Sequence, residues 1–185
     1  MILGLDISTS CTGYCIFNED GFLDIGYICL KKHKTLVEKA QEIKSALLQI
    51  KNRYHIKSIG IEENLQAFRP GFSSANTLMK LAQFNGTVQW ISYEVFNIVP
   101  SSINVNTARK TVGLKIKRKD ELSTKEQVLK WVTSDCNKIN WPYKTISRGR
   151  NKGQVVVKNE AYDMADAYIV GKAFHILKKQ HTVCK

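Results

Sequence analysis

Four carboxylates occupy positions in the sequence where a charged side chain is costly. Asp6 lies in an apolar first segment, and Glu62 follows the apolar run 59–61. Asp163 and Asp166 are three residues apart in an otherwise apolar segment, so in a helix they share one face. Buried charges need a partner or a metal ion. Carboxylates are hard oxygen ligands that suit Mg²⁺ or Mn²⁺, so this set of acids predicts a divalent metal site.

A metal site of this composition is suited to phosphodiester hydrolysis. Two divalent ions about 4 Å apart can activate a water molecule and stabilise the leaving oxygen. Each acid alone has a simpler interpretation: Asp6 could cap a turn, Glu62 could pair with a lysine, and the two later aspartates could form an exposed helix face. Other catalytic plans fit poorly, because the sequence contains no GxSxG, Walker A or HExxH motif.

Hydrophobic periodicity predicts the elements that must position these acids. Residues 1–8, 12–18 and 22–30 are predicted to be strands joined by short turns, which is typical of an antiparallel meander. Thr35 and Glu38 have the spacing of a capping box, and the helix that they begin carries one apolar stripe.

The rest of the chain alternates strands with helices. We predict strands over 56–61 and 95–99 and helices over 74–93, 103–112, 123–132 and 160–178. The helix over 74–93 is expected to have Leu78, Leu81, Ala82 and Trp90 on or near its apolar face, and Gly86 is expected to permit close packing against a neighbour. This order predicts an α/β protein with a mixed five-stranded central sheet, in which three antiparallel strands precede alternating helices and strands, flanked by helices.

Positive charge is concentrated in one third of the chain. The net charge is +12, and residues 101–158 hold 14 Lys and Arg against 4 Asp and Glu. Such a concentration is typical of a protein that binds a polyanion, although a lysine-rich soluble surface is the alternative. No basic segment has a matching apolar face, which disfavours binding to a membrane surface.

The length and the apolar content set the broad class of the protein. A chain of 185 residues is normal for one domain with one core, so we expect a single domain over 1–185. The sequence has no bilayer-spanning apolar run and no signal-peptide pattern, so we expect a cytoplasmic protein that is not secreted. The odd number of cysteines, five, argues against a disulfide framework.

Several segments resemble the RuvC Holliday junction resolvases. LGLDISTSCTGYCIF is similar to the first strand of the family, IGIEEN to its second acidic motif, MKLAQFNG to a helix near its active site, and YDMADAY to its closing Asp-x-x-Asp helix. The resemblance implies that Asp6, Glu62, Asp163 and Asp166 hold two Mg²⁺ ions per active site, for which Mn²⁺ would substitute. Glu63 competes with Glu62 for the second position.

Two basic segments also resemble the family. ARKTVG at 108–113 and the stretch 125–128 are similar to segments linked to DNA binding and catalysis, and they point to Lys110 and Lys125. The match covers most of the chain in the family's order. The chain departs from the family pattern in a basic insertion at about 136–158, which bears on the choice of substrate.

The resemblance implies an RNase H-like fold and a homodimer that cuts opposed strands of a four-way DNA junction, leaving 5′-phosphates, without a nucleotide cofactor. Abundant Lys, Asn and Ile resemble viral and phage versions, so a bacterial, phage-infected or viral-factory setting is expected. A phenylalanine in the loop after Glu62 could wedge against an unstacked base, with core packing as the rival interpretation. The residues expected to contact DNA are Lys110, Lys115, Lys117, Arg118, Lys119, Lys125, Arg148, Arg150, Lys152, Phe68 and Phe72.

Three other functions are compatible with parts of the sequence. A related RNase H-like nuclease, or a nuclease for flaps or other branched DNA, would use the same acids. A non-catalytic DNA-binding module could share the fold, although intact acids argue against it. A sugar kinase or ATPase-like domain also has a strand with Asp followed by Ser, Thr and Gly, but the short length and the Asp163 and Asp166 pair disfavour it.

Overall fold

The structure is a computed structural model that describes residues 1–63 and 75–183. Its elements form a mixed sheet, a separate hairpin and five helices within those ranges. In chain order they are β1 (Ile2–Asp6), β2 (Cys11–Phe17), β3 (Phe22–Cys29), α1 (Leu36–Arg53), β4 (Ser58–Glu62), α2 (Ala75–Phe96), β5 (Ser101–Ile103), α3 (Val105–Thr111), α4 (Thr124–Asp135), β6 (Tyr143–Thr145), β7 (Val155–Val157) and α5 (Glu160–Val183).

The central sheet has five strands in the order β3-β2-β1-β4-β5. The first three strands pair antiparallel, whereas β4 pairs parallel with β1 and β5 pairs parallel with β4. The predicted mixed five-stranded sheet is therefore confirmed. Because β1 and β4 are parallel neighbours, with Leu5 opposite Ile61, their last residues Asp6 and Glu62 end at the same edge.

Helices cover both faces of the sheet. Leu3, Leu5 and the isoleucines of β4 point to one face, where they are buried against α1 and α2. Helix α1 begins as predicted, with Thr35 and Glu38 forming a complete capping box. Helix α5 crosses the opposite face, and α3 and α4 pack against α5 rather than against the sheet.

Helix α5 lies unusually close to the sheet. A Cβ atom built on Gly4 of β1 would lie 2.5 Å from the backbone nitrogen of Gly171, a separation that real side chains do not adopt. The absence of a side chain on Gly4 therefore lets the helix backbone rest directly on the strand. This contact fixes the height of α5 above the sheet.

Residues 136–158, the expected insertion, contain a short antiparallel hairpin of β6 and β7. Trp141 is buried in the core at the base of the hairpin, so it has a structural role. The backbone nitrogen of Lys158 donates to the carbonyl of Pro142, which closes the base. Helix α5 begins at Glu160, so the hairpin is attached directly to the helix that carries two of the acids.

One predicted strand is wrong. The strand expected over 95–99 is instead the end of α2, and β5 begins after Pro100. Asn97 has a φ of 55°, a left-handed conformation that ends the helix. The strand signal of this segment came from apolar residues that serve the helix, because Val95 is buried on it.

The predicted apolar face of α2 is wrong at two of its four residues. Leu78 and Leu81 are partly buried, whereas Ala82 is exposed and Trp90 is 65% exposed. The fully buried apolar residues of the helix are Phe84, Val88, Ile91 and Val95. Gly86 does not pack closely within the chain, because a Cβ atom built there would meet nothing within 4 Å. Helix α2 carries two apolar stripes, and the prediction combined residues from both.

Three further expectations concern the wedge residues, membrane spans and the cysteines. Phe68 and Phe72, the expected wedge residues, lie outside the described residues, so their role stays a prediction. Of the helices formed by the described residues, none combines the length and the apolar character that a bilayer crossing requires. The four cysteines that the structure describes are free thiols.

We predict that Gly4→Ala destabilises the protein by about 1–3 kcal/mol, because the added methyl group must push α5 away from the sheet. Ser45→Ala is the control. Ser45 is exposed on α1, away from the contact, and its replacement should raise the free energy of unfolding by only about 0.5 kcal/mol through helix propensity. Urea unfolding of both variants tests this prediction, and equal effects of the two substitutions would contradict the close contact.

Candidate active site

The first two carboxylates project from neighbouring strand ends. Asp6 ends β1 and Glu62 ends β4, and both are partly buried. Glu63, the alternative to Glu62, follows the strand, and its backbone nitrogen donates to the carbonyl of Ile103 at 2.9 Å. Side chains alternate along a strand, so Glu62 and Glu63 point to different sides. The structure therefore favours Glu62 as the residue that joins Asp6.

Helix α5 brings the other two carboxylates to the same edge. Asp6 is opposite Gly13 in the β1–β2 pair, and a Cβ atom built on Gly13 would lie 2.0 Å from the carbonyl oxygen of Asp163. The first turns of α5 therefore rest on the strand beside Asp6. Asp163 and Asp166, three residues apart, share the helix face that points at the strand ends, and their side chains are 17% and 15% exposed.

Electrostatic coupling indicates that the four side chains form one cluster. Burial, followed by the charges of Glu62, Asp166 and Asp163, raises the pKa of Asp6 well above its usual value. Burial and then Asp166 raise the pKa of Glu62 to about 7. Burial also raises the pKa values of Asp163 and Asp166. Each carboxylate is therefore costly to ionise while the others are charged.

Two cations oppose this accumulation of negative charge. Nη2 of Arg109, from α3, lies 3.7 Å from Oδ1 of Asp166, and Nζ of Lys125, from the first turn of α4, lies 3.9 Å from Oδ1 of Asp163. Both distances exceed a good charge-assisted hydrogen bond. Arg109 and Lys125 lower the pKa values of Glu62 and Asp166, Arg109 is a weak hydrogen-bond donor to Asp166, and the thiol of Cys11 donates to Asp163. These few donors leave carboxylate oxygen atoms for another positive ligand.

The chemistry of this donor set fits hard divalent cations. Four carboxylates, partly buried and repelling one another, offer the oxygen ligands that Mg²⁺ or Mn²⁺ prefers. Within residues 1–63 and 75–183, no group of three or more His, Cys, Asp or Glu side chains is arranged to enclose a metal ion as it stands. Like charges separate in the absence of a cation, and here Asp163 and Asp166 have Lys125 and Arg109 as their nearest charges. Small side-chain rotations would be needed to close the ligand set.

Arg109 is the site residue that sequence analysis missed. The motif ARKTVG drew attention to Lys110, but Lys110 is exposed and the adjacent Arg109 reaches the carboxylates. Nε of Arg109 is buried and has no hydrogen-bond partner among the described residues. The helical position of α3 relative to α5 decides which of two adjacent basic residues points inward, and this information is absent from the local sequence.

The other residues predicted to contact DNA lie on exposed surface. Residues 115, 117, 118 and 119 occupy the connection between α3 and α4, which Gln127 holds by hydrogen bonds to both backbone groups of Lys117. Arg148, Arg150 and Lys152 are exposed at the tip of the β6–β7 hairpin. Only Lys125, among the basic residues predicted for catalysis or DNA contact, lies beside the acids. DNA contact by all of these residues stays a prediction.

The sheet order, with helices on both faces and acids at the ends of β1 and β4 and on α5, defines an RNase H-like α/β fold. RuvC of T. thermophilus in complex with a Holliday junction substrate has the same fold, with a TM-score of 0.65 and 13% sequence identity over 98% of this chain and 96% of that chain. A second structure of Thermus thermophilus RuvC has a TM-score of 0.63 and 15% identity over the same shares. No family model and no curated protein matches the sequence.

We predict that the metal-free protein loses stability as pH rises from about 4.5 to 7. In this window Glu62 stays protonated in the folded chain and ionises in the unfolded chain, so the folded state binds more protons and the free energy of unfolding falls with pH. Glu62→Gln should reduce this decrease in the free energy of unfolding by about 2 kcal/mol. Urea unfolding at pH 5 and pH 8 in EDTA measures the effect.

The control for this prediction is Glu94→Gln, which removes an exposed carboxylate paired with Lys44 and should leave the pH dependence unchanged. Adding Mg²⁺ at pH 8 should restore the stability of the unsubstituted protein, because a bound cation removes the repulsion. Stability that is constant or that rises between pH 5 and pH 8 in EDTA would show that the carboxylates do not form a repulsive cluster.

Proposed function

We propose that this chain is a cytoplasmic, divalent-metal-dependent endonuclease that cuts four-way DNA junctions. The observation that carries the proposal is the convergence of Asp6, Glu62, Asp163 and Asp166, all with raised pKa values, at one edge of the sheet. The RNase H-like fold supports it, since the T. thermophilus RuvC of similar fold was solved with a Holliday junction substrate.

The four carboxylates would hold two Mg²⁺ ions, for which Mn²⁺ would substitute. When bound, such a pair of ions supplies an activated water molecule and stabilises the leaving 3′ oxygen, so that nicks carry 5′-phosphates. Asp6 and Glu62 come from rigid strand ends. Asp163 and Asp166 come from a helix that packs directly on the sheet because Gly13 has no side chain. Ligands on rigid elements keep their geometry while the substrate binds.

The two cations beside the carboxylates are suited to the scissile phosphate. Lys125 is 62% exposed on its side chain, so its Nζ can reach a phosphate oxygen while remaining near Asp163. Arg109 is less exposed, at 19% on its side chain, and with its Nη2 near Asp166 its guanidinium group places positive charge beside the carboxylates. Guanidinium and ammonium groups stabilise the charge that develops on phosphorus oxygens during hydrolysis. Simple backbone contact is the alternative role for Lys125.

Two basic surfaces near the site are suited to the DNA backbone. The connection over 115–119 joins the helix of Arg109 to the helix of Lys125, and the hairpin tip over 148–152 is attached to the base of α5. Both therefore extend from elements that carry site residues. Lysine and arginine contacts to phosphate position a nucleic acid without reading its sequence. The site and these surfaces together would hold one junction arm and its branch point.

We expect the protein to cut a mobile four-way junction in the presence of Mg²⁺ and to leave an equal-length duplex intact. Asp6→Asn and Asp163→Asn should each lower the cutting rate about a hundredfold or more, because several kcal/mol of charge stabilisation is lost. Junction binding in gel-shift assays with EDTA should remain. Ligase sealing of the nicks tests for 5′-phosphates.

The matched control is Glu63→Gln, which removes the carboxylate next to Glu62 and should leave cutting intact. Cutting of an RNA–DNA hybrid or a flap in preference to the junction would assign the protein to a related RNase H-like nuclease. Junction binding with no cutting at any concentration of Mg²⁺ or Mn²⁺ would identify a non-catalytic DNA-binding module. ATP turnover without nucleic acid would support a kinase-like domain instead.

A homodimer belongs to this proposal, because two opposed strands of a junction must be cut. Helix α2 offers a surface for a second copy. Met79, Trp90 and Tyr93 are exposed at 63%, 65% and 40%, and the rings of Trp90 and Tyr93 lie 6.0 Å apart. Together with Ala82 and Gly86 they form a stripe with steps of three and four residues, which we call the α2 stripe. Contiguous exposed apolar surface of this kind marks interaction sites.

The α2 stripe is complementary to itself about a two-fold axis through Gly86. In an antiparallel pair of α2 helices, Met79 would lie opposite the partner's Tyr93, and Ala82 would lie opposite the partner's Trp90. Trp90 would then meet the small Ala82, Met79 would meet the ring of Tyr93, and open space at Gly86 lets the helix axes approach. Self-complementarity of one patch is what a two-fold dimer requires. The residue sizes along the stripe therefore support a second copy of this chain as the occupant.

We expect the unsubstituted protein to be a dimer in light scattering and Trp90→Glu to be a monomer, because a buried unpaired charge at the interface is costly. Val37→Glu is the control, since Val37 is 69% exposed on α1, outside the α2 stripe, and its replacement should leave the dimer intact. A Trp90→Glu protein that remains dimeric would place the interface elsewhere. A monomeric unsubstituted protein would overturn the dimer.

A further inference from the structure

A cavity lies at the edge of the sheet opposite the carboxylates. It has a volume of about 850 Å³ and opens between the first residues of β1 and β4, the end of β2 and the C-terminal half of α5. Its floor includes Ile2, Phe17 and Ser58, and its helical wall includes His175, Lys178 and Lys179. Strand β1 thus runs from this cavity to Asp6, at about 3.3 Å per residue. We call it the basal cavity.

The packing of α5 explains why the basal cavity exists. The helix touches the sheet where Gly4 meets Gly171, and the ring of Phe174 occupies the space that a Cβ on Gly60 would need. Beyond these contacts, toward the end of the helix, the side chains of Lys178 and Lys179 line the cavity instead of packing on a strand. The space is therefore a consequence of the close contact in the middle of the helix.

Positive charge on the wall of the basal cavity is incompletely compensated. Lys57, Lys178 and Lys179 line it, against the acids Glu19 and Asp20 of the β2–β3 turn. Within the described residues, Lys57 and Lys179 have no carboxylate within ion-pair distance. An anion bound near Lys57 and Lys179 would gain charge-assisted contacts without displacing an ion pair of either lysine.

The basal cavity also offers the ring of a histidine and an unsatisfied hydroxyl group. The half-buried ring of His175 lines the cavity, and the buried ring of Phe17 supports it at a centroid distance of 5.4 Å and an interplanar angle of 33°. Oγ of Ser58 is buried and has no hydrogen-bond partner among the described residues. A buried hydroxyl without a partner is costly, and a rotation of its side chain toward the cavity would let a polar ligand satisfy it.

We propose that the basal cavity binds a mononucleotide, whose phosphate contacts Lys57, Lys178 and Lys179 and whose base lies against the ring of His175. The volume is within the range of about 300–1,000 Å³ usual for small-molecule sites. Glu19 and Asp20 face this space as acceptors for ribose hydroxyls or base amino groups. The ligand takes no part in the chemistry of the carboxylates, so the expectation that cutting needs no nucleotide cofactor is unaffected. The proposal does not depend on the proposed nuclease function.

The test uses AMP as the probe, in calorimetric titrations of the full chain with EDTA present and without DNA. We expect saturable binding with one site per chain. The double variant Lys57→Ala and Lys179→Ala should weaken binding at least tenfold, because each loses a charge-assisted contact. The matched control is Lys117→Ala with Lys119→Ala, which removes two exposed lysines of the α3–α4 connection and should leave AMP affinity unchanged.

Two further probes test the class of ligand. Adenosine and inorganic phosphate should each bind more weakly than AMP, since each makes only one part of the contacts. Inorganic phosphate that binds as tightly as AMP would overturn the nucleotide assignment. The proposal is also overturned if AMP fails to bind at about 1 mM, or if its affinity depends on Lys117 and Lys119 rather than on Lys57 and Lys179. Because the assay contains neither metal nor DNA, its outcome is independent of cutting activity.

Discussion

The direct contact between the α5 backbone and the central strands is the constraint on which the rest of the structure depends. Gly4 and Gly13 have no side chain to hold the helix away, and a Cβ on Gly13 would lie 2.0 Å from the carbonyl oxygen of Asp163. Asp6 is opposite Gly13 in the β1–β2 pair, so the same contact determines the separation of the first and third acids. A bulkier residue at either position would move half of the ligand set. The geometry of the site therefore depends on the glycines as well as on the carboxylates.

This constraint imposes an electrostatic cost that the fold does not remove. Four partly buried carboxylates are opposed by Arg109 and Lys125, whose nearest nitrogen atoms lie 3.7 Å and 3.9 Å from their partners. A structural ion-pair network would shorten these contacts, because desolvated charges are stable only with good geometry. Loose pairing leaves oxygen atoms for a divalent cation and nitrogen atoms for a phosphate. The incomplete compensation is what distinguishes a site for a charged ligand from a structural cluster.

The sequence was sufficient to predict the sheet and to single out the four acids that the structure brings to one edge, because both leave local signals. Alternation and turn residues mark β1 to β3, and the spacing of Asp163 and Asp166 marks one helix face. Arg109 was missed because the choice between it and Lys110 depends on how α3 packs on α5, a tertiary property. The face of α2 was misassigned because two apolar stripes compete on one helix, and periodicity gives no preference between core and interface. The strand predicted over 95–99 failed because the apolar residues of a helix end can also satisfy a short strand pattern.

The packing of the core explains how low sequence identity to RuvC can accompany a nearly complete structural overlap. At 13% identity over 98% of this chain, most core residues differ, yet a core tolerates exchange among apolar residues when volume and pattern are kept. The positions that tolerate least are those where backbone meets backbone and where carboxylates must converge. In this chain Gly4 and Gly13 are positions where backbone meets backbone, and the four acids are positions where carboxylates converge. A fold comparison measures the backbone arrangement itself, so it finds a likeness that remains after most side chains have changed.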